Sequence, residues 1–535
     1  MPASLTYPGV YIEELSSGVH TITGVATSIA AFIGWSNQGP VNKAVLVESW
    51  SDYEAQYGGL SNTTGLPNYL GYSVNQFFGN GGQQAYIIRL AGTDSLTASA
   101  VAAVGNWELF AQNPGAWGNN VWVNLIPFGT AGRFSLQVLY SATGNPAQAA
   151  VVENFVNLST SSTDPLYVVT VLNTDSQYVT FVDPAHPTAT LAAFSGAIEA
   201  TPSMASPPSW PAGLRLAGGF DGTTLFPGDG DFEIALGADA SPTSTATTGV
   251  RLLDRVDIFN ILCVPGETDA ATVAILQEYC THMRAFYVVD CPQLSTTAGL
   301  NTSGPLGTSD SGGLLTGQYA SNSAFYYPWV QAPDPLFKNR PTLFPPCGFV
   351  AGIYAATDAS RGVWKAPAGI DASLTGVSGL QYNLTDLENG NLNIQAINCL
   401  RQFKVYGDVV WGARTLQGND HAGSEWKYIP IRRLALFIES SLYDGTQWVV
   451  FEPNDTPLWG QIRLNVGSFM QGLFLQGAFQ GSTPQQAYFV QCDASNNPQS
   501  SIDQGIVNIG VGFAPLYPAE FVVIQIQQMA GQTQS

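Results

Sequence analysis

The sequence predicts a multidomain protein of α/β and α+β class with a mainly β insertion at its surface. Three observations lead there. At 535 residues the chain exceeds what one core organises, and a scale of about 100–200 residues per domain gives roughly three or four domains. Apolar strand-length runs alternate with helix-length amphipathic ones, most plainly between 251 and 291. From about 91 to 248 the composition shifts to broken Ser/Thr/Ala-rich segments with short β-prone pieces between them.

In chain order, "YPGVYIEEL" (Tyr7 to Leu15) reads as a strand after a Tyr-Pro-Gly turn, with Val10 and Ile12 on one side and Tyr11 and Glu13 on the other. A lone edge strand needs something to pair with, and another copy of the chain is the expected partner. From Thr21 to Leu90, "GVATSIAAFIGW" and "QQAYIIRL" alternate with Gly and Asn turns, as βα units do. In the insertion, "VWVNLIP" and "LYVVTVL" are the β-prone pieces. Regular α/β character resumes at Arg251. "VDIFNILCVPG" predicts a strand, "ETDAATVAILQEYCTHMRA" a helix with Glu267 and Asp269 near its N-terminal end, and "FYVVDCP" a second buried strand parallel to the first.

The last third holds two amphipathic helices. Pro430 opens the first, with a stripe of Ile431, Leu434, Ile438 and Leu442. Asp455 or Thr456 caps the second, where Trp459, Ile462, Val466, Phe469 and Leu473 recur every three or four residues. "QWVVFEPN" lies between them, and "QAYFVQCD" and "QGIVNIGVGFAP" follow. The chain closes on "FVVIQIQQ", where Val522, Ile524 and Ile526 alternate. The expected domains are an arm at 1–20, a central α/β domain from 21–90 with 249–395, the insertion at 91–248, a C-terminal domain at 396–515 and a second arm at 516–535.

Charge narrows the function classes. Charged residues are 11% of the chain, against roughly 25% in average soluble proteins, so neutral polar groups cover the surface and extensive protein contacts are favoured. Eighteen Lys and Arg against 39 Asp and Glu give −21, a field that repels phosphate backbones, so no nucleic-acid partner is expected. "MPASLTYPG" lacks the features of a secretory signal, and no apolar run approaches membrane-spanning length; synthesis in the cytoplasm without membrane insertion is the expectation.

No motif supports an enzyme, a cofactor or a metal centre. "GVSGL" places Gly376 and Ser378 as in G-x-S-x-G but ends on Leu380, so Ser378 reads as a loop serine. "GTSDSGGLLTG" lacks the Lys-Ser/Thr of a phosphate cradle, and His20, His186, His282 and His421 form no H-E-x-x-H. In "GDGDFE", Asp229, Asp231 and Glu233 alternate, but Ile234 stands where a calcium loop needs Gly, leaving a solvated acidic loop. Cys263, Cys280, Cys291, Cys347, Cys399 and Cys492 are too widely spaced for a metal knuckle and read as buried apolar residues. One basic island stands out. Arg401, Lys404, Arg414, Lys427, Arg432 and Arg433 face only Asp408, Asp420 and Glu425 in that span, and read either as solvated or salt-bridged side chains or as a contact face for an acidic partner such as Glu13 and Glu14.

"YPGVYIEEL", "GVATSIAAFIGWSNQGPVN", "NPGAWGNN", "VDIFNILCVPG", "AFYYPWVQAPDP", "PPCGFVAGIYAATDASRGVWKAPAG" and "VVWGARTL" together resemble the ordered signature segments of contractile tail sheath proteins. These proteins form the sleeve of contractile phage tails, R-type bacteriocins and related injection systems. The resemblance runs from Tyr7 to the C-terminal arm, with a gap over much of 121–248.

It implies a structural subunit that stacks as hexameric rings or a six-start helix around an inner tube, between baseplate and tail-end cap proteins. The sleeve contracts without nucleotide hydrolysis to drive the tube through a target envelope. It further implies a sheath-type inner domain at 396–515, completed by strands from neighbours: Val10, Tyr11, Ile12, Glu13, Glu14 and Leu15 from one arm, and Phe521, Val522, Val523, Ile524, Gln525, Ile526 and Gln527 from the other. The basic island then becomes a tube or arm contact, and the insertion an outward decoration. A reading of another class is a non-contractile, self-assembling surface or shell protein whose Ser/Thr-rich insertion binds glycans.

Overall fold

A computed structural model describes residues 20–63, 66–95, 97, 99–101, 108–127, 132–181, 215–237, 248–305, 317–421 and 423–525. They form two compact units. The larger comprises residues 27–359 and 367–427, and the described parts of the smaller are 20–26, 360–366 and 428–525. The predicted arm strand Val10 to Leu15 lies outside the described residues, as do Ile526 and Gln527.

An eight-stranded sheet organises the larger unit. Its strands are β1 (Ala30–Trp35), β2 (Val45–Val47), β3 (Ala85–Leu90), β4 (Ile261–Cys263), β5 (Phe286–Asp290), β6 (Ser323–Tyr327), β7 (Ile397–Phe403) and β8 (Gly407–Val410). They lie side by side in the order β8-β7-β6-β5-β4-β1-β3-β2. Every pairing from β7 to β3 is parallel, whereas β8 and β2 run antiparallel to their neighbours. β1 and β5 are buried along their whole length. Strands covered on both faces need apolar residues at every position, so these segments read as continuous runs instead of alternating ones.

The expected strand, helix and parallel strand after Arg251 are present as β4, the helix Ala270–His282 and β5, although β4 takes only three residues of the apolar run. Asp269 caps the helix by accepting the Thr272 amide at 2.9 Å. Ala31, Ile33 and Trp35 of β1 share a core with Val273, Leu276 and Cys280 of that helix. Phe32, pointing the other way, meets Phe77 of the helix Tyr69–Gly79 edge-on at 5.4 Å.

The signature "GFVAG" has a packing explanation. It opens the helix Cys347–Arg361, which lies against the helix Tyr69–Gly79 at close range. A Cβ at Gly348 would fall 2.5 Å from the Ser73 carbonyl oxygen, and one at Gly352 would fall 2.6 Å from Asn80 Cβ. Only glycine permits that separation.

The start of the C-terminal domain differs from the expected residue 396. β7 pairs in parallel with β6, and β8 folds back on β7, so residues 397–410 complete the large sheet. "VVWGARTL" secures this edge: Asn398 accepts the Arg414 amide at 2.7 Å and donates to the Arg414 carbonyl at 2.8 Å. The smaller unit resumes at Tyr428.

Within 91–248, Val121–Pro127, Arg133–Tyr140 and Ala150–Ser159 form one three-stranded antiparallel sheet. Ser99–Val101, Glu108–Ala111 and Val179–Thr180 form another. Phe134, Leu136, Leu158, Leu172 and Val179 share their core. The β-prone "LYVVTVL" is instead largely helical, Val168–Asp175, because Val168 and Leu172, one turn apart, bury together in that core. Packing has overridden β propensity. "GDGDFE" also differs from a loop: Gly230–Leu236 is a short helix that buries Phe232 and Leu236 and carries Asp231 and Glu233 in its first turn, where backbone N–H groups favour acids.

Candidate functional site

The smaller unit is built on the two predicted helices. The first spans Ile429–Gly445 and the second Thr456–Leu475, with Asp455 capping the latter by accepting the Leu458 amide at 3.1 Å. Leu434 and Ile438 pack with Trp459, Ile462, Val466 and Leu473 in one core. Tyr488–Gln491 and Gly510–Phe513 add an antiparallel ribbon, in register from Tyr488↔Phe513 to Gln491↔Gly510. Tyr488 ties the ribbon to the second helix by donating to Gln471 Oε1 at 2.9 Å.

Two strands are too few to stand alone in water. Among the described residues no third strand joins either edge of this ribbon. Beyond it Pro515 bridges to Phe479, the Tyr517 ring meets Tyr428 edge-on at 6.2 Å, and Tyr428 Oη donates to Glu520 at 3.0 Å. After Glu520 these contacts stop. Phe521, Val522, Val523 and Ile524 are 75%, 80%, 82% and 79% exposed, and with Gln525 they belong to no strand. Four consecutive apolar side chains in water constitute a surface that calls for cover.

The six island residues fall in both units, and several are internal. Arg414 is 1% exposed, donates to the carbonyls of Asn393 at 2.8 Å and Gly418 at 3.3 Å, and pairs with Asp420 at 3.0 Å. Lys427 meets the same carboxylate at 2.7 Å, which holds the Asp420 carboxyl below its usual range. Arg401 pairs with Asp386 at 2.8 Å and Arg432 with Glu439 at 3.2 Å. Arg433 is buried. Asp420, one of the three acids of that span, thus serves both Arg414 and Lys427. Lys404 is the member that is exposed and in no ion pair among the described residues.

Ser378 sits exposed beside a two-residue strand, its amide donating to the Gln331 carbonyl at 2.8 Å. All six cysteines are buried and free of disulfides. Among the described residues no group of three or more His, Cys, Asp or Glu is placed to hold a metal, and no helix is long and apolar enough to cross a membrane.

Two buried features escaped the sequence reading. Arg89, at the end of β3, donates to the carbonyls of Ser36 and Gly39 at 2.6 Å and of Pro114 at 2.9 Å, and burial pulls its pKa down to about 10. It thereby joins the sheet to "NPGAWGNN", where Gly115 has φ 138° and Ala116 donates to Asp221 at 2.6 Å. Glu267, fully buried, accepts the Asp269 amide at 2.7 Å through Oε1, while Oε2 has no partner; burial raises its pKa to about 7. Arg89 sits in the apolar run "AYIIRL" and Glu267 in the polar turn "PGETD", and neither local composition carries a sign of the burial.

Comparison with known proteins adds a consistent result. The family model described as the phage tail sheath protein central domain matches residues 253–416, and the phage tail sheath C-terminal domain matches 421–529. A third, DUF2586, N-terminal domain, matches 8–300 and overlaps the first. A tail sheath protein of Vibrio phage KVP40 is 25% identical over 190 residues, 35% of this chain but only 27% of that protein's length. A protein described as a prophage major tail sheath protein in Pseudomonas aeruginosa is 25% identical over 289 residues, 51% of this chain and 67% of that one. In fold, the chain is similar to a subunit in the helical sheath of the anti-feeding prophage in its contracted state, with a TM-score of 0.58 at 22% identity, covering 98% of this chain and 100% of that chain.

Proposed function

The chain belongs to the contractile tail sheath family, and from that premise we propose that it is a structural subunit which polymerises around an inner tube and contracts to drive it through a target envelope. The observation that carries this reading is the pairing, within one small unit, of an open-edged ribbon with an exposed apolar tail. A tail of one copy added to the ribbon of another supplies the missing strand, with backbone bonds giving adhesion and alternate side chains giving register. Each such bond contributes roughly 0.5–1.5 kcal/mol net, so a five-residue addition gives only several kcal/mol. Repeated through stacked hexameric rings, these links hold subunits together while they rotate and slide.

In this reading Val10 to Leu15 is the second donated strand, the insertion at 91–248 projects outward, and baseplate and tail-end cap proteins close the tube. The particle is phage tail or phage-tail-like, and contraction draws on two alternative subunit packings, a bistable arrangement released from one end. The basic contact with tube or arm falls to Lys404, since Arg414 and Arg433 are buried and Arg401, Lys427 and Arg432 are paired within the chain.

Negative-stain electron microscopy of the purified full-length chain, beside one starting at Ser16 and one ending at Glu520, tests the proposal. Tubes or stacked rings from the full-length chain and small oligomers from both truncations are expected. Identical assemblies from all three would overturn strand donation. Dispersed monomers throughout would overturn the polymerising subunit.

A further inference from the structure

Val330–Asp334 and Arg340–Phe344 form an antiparallel hairpin that the sequence reading did not single out. Its root is locked into the larger unit. Tyr72 Oη donates to Asp334 Oδ1 at 2.5 Å, and the Tyr72 ring stacks on Phe344 at 4.6 Å. Its turn is locked from within: Asp334 accepts the Leu336 amide through Oδ1 at 2.9 Å and the Asn339 amide through its carbonyl at 2.8 Å. Lys338 and Asn339 hold the left-handed φ values of 58° and 56° that close it. The tip is therefore set before any partner arrives, which keeps the ordering cost of binding low.

What this rigid tip presents is unusual for the chain. Leu336 and Phe337 are 49% and 46% exposed, followed by exposed Lys338 and Arg340. Neither cation has a carboxylate partner among the described residues, and the one acid of the turn, Asp334, is buried. An apolar centre flanked by unpaired cations is the composition of a docking point for an apolar, acidic surface.

We infer that the hairpin tip, residues 335–340, is an interaction surface that docks onto a second copy of this chain. The inference rests on the self-assembly proposed above. Copies that each carry −21 repel one another, so wherever they touch, local cations must offset that field. Of the 18 basic residues, Arg133, Arg251, Arg401, Arg414, Lys427 and Arg432 already face carboxylates of their own chain and Arg89 and Arg433 are buried, which leaves ten for this purpose. Lys338 and Arg340 are two of those, presented together beside exposed apolar area on a fixed scaffold.

The test uses the full-length chain in two forms. One carries the photo-crosslinker p-benzoylphenylalanine at Phe337, and the other combines Lys338→Glu with Arg340→Glu. Irradiation of the assembled first form should give a copy-to-copy crosslink. The second, with an unchanged melting curve, should need about 30-fold more protein to assemble, as the loss of an interface hot spot predicts, with the deficit shrinking at high salt. An unchanged assembly threshold with no crosslink from Phe337 would overturn the tip as an interface while leaving the sheath proposal standing. A wild-type chain that sediments as a monomer at every concentration, with no crosslink, would overturn both.

Discussion

The two units finish their β-sheets in opposite ways. In the larger, the outer edge of β8 is taken by its own chain: the Leu374 amide donates to Asp408 at 2.8 Å and the Val410 amide to Ala372 at 3.0 Å. The other edge strand, β2, is only three residues long, a common way to blunt an edge. In the smaller, the ribbon Tyr488–Gln491 with Gly510–Phe513 has no third strand among the described residues, and an apolar tail lies uncovered after Glu520. One unit satisfies itself, and the other is built to be satisfied by a neighbour. Substitutions in the packed interior of the first should therefore act on the stability of a single copy, and those in the tail on association alone.

The largest loss of stability is expected from Gly352→Val. The new Cβ would sit 2.6 Å from Asn80 Cβ and 2.7 Å from the Phe77 carbonyl oxygen, so the two helices must part. About 3 kcal/mol is expected for such overpacking, read as a lower urea midpoint of the larger unit. A midpoint within error of wild type would contradict the close helix contact.

Arg414→Met comes next. It leaves the Asn393 and Gly418 carbonyls without their donor and Asp420 with Lys427 alone. A loss of about 2 kcal/mol is expected, against less than about 0.5 kcal/mol for the exposed Lys404→Met. Equal effects from both would mean that Arg414 is not the internal residue it looks to be.

These two positions also show what the sequence could carry. The parallel core was legible, because β1 and β5 bury every residue and so appear as unbroken apolar runs. The helices Ile429–Gly445 and Thr456–Leu475 were legible from their stripes and from Asp455. The domain limit at 396 was not, because nothing local in "INCLRQF" says whether its partner strand is β6 or a strand further on. The basic island was legible as charge but not as burial, for a related reason. Proximity in sequence counted Arg414 as surface charge, while its burial depends on Asn393, Gly418 and Asp420 closing around it. The helix Val168–Asp175 was misread because β-branched residues were weighed without the core that binds Val168 and Leu172.

A pH dependence should also separate the units. Burial, reinforced by the nearby Glu233 charge, raises Glu267 from 4.5 to about 7, and burial raises Asp290 from 3.8 to about 6. The folded larger unit thus keeps protons that the unfolded chain releases. The contribution of these two groups to stability is greatest below their unfolded values and declines as pH rises, by up to about 1.4 kcal/mol per pH unit for each, levelling off near pH 6 for Asp290 and 7 for Glu267. Glu267→Gln should flatten the upper part of that decline in denaturant titrations of the larger unit. An unchanged pH profile in the variant would show that Glu267 is not the source.

The smallest effect on stability should come from the tail, and there its smallness is informative. Val522 and Ile524 are 80% and 79% exposed, so Val522→Asp with Ile524→Asp removes no buried contact of the single copy, and its melting curve should match wild type. Association should respond very differently. In an added strand, alternate residues face the receiving core, and a carboxylate there would be desolvated without a partner. Assembly by the double variant should therefore fail, while a peptide of residues 516–527 added to wild type should compete with the tail and slow polymerisation. A variant that melts early would show that the tail already packs on its own unit, and one that assembles normally would show that the ribbon is completed by something else. Unchanged melting with lost assembly is the outcome that only an edge left open for a neighbour explains.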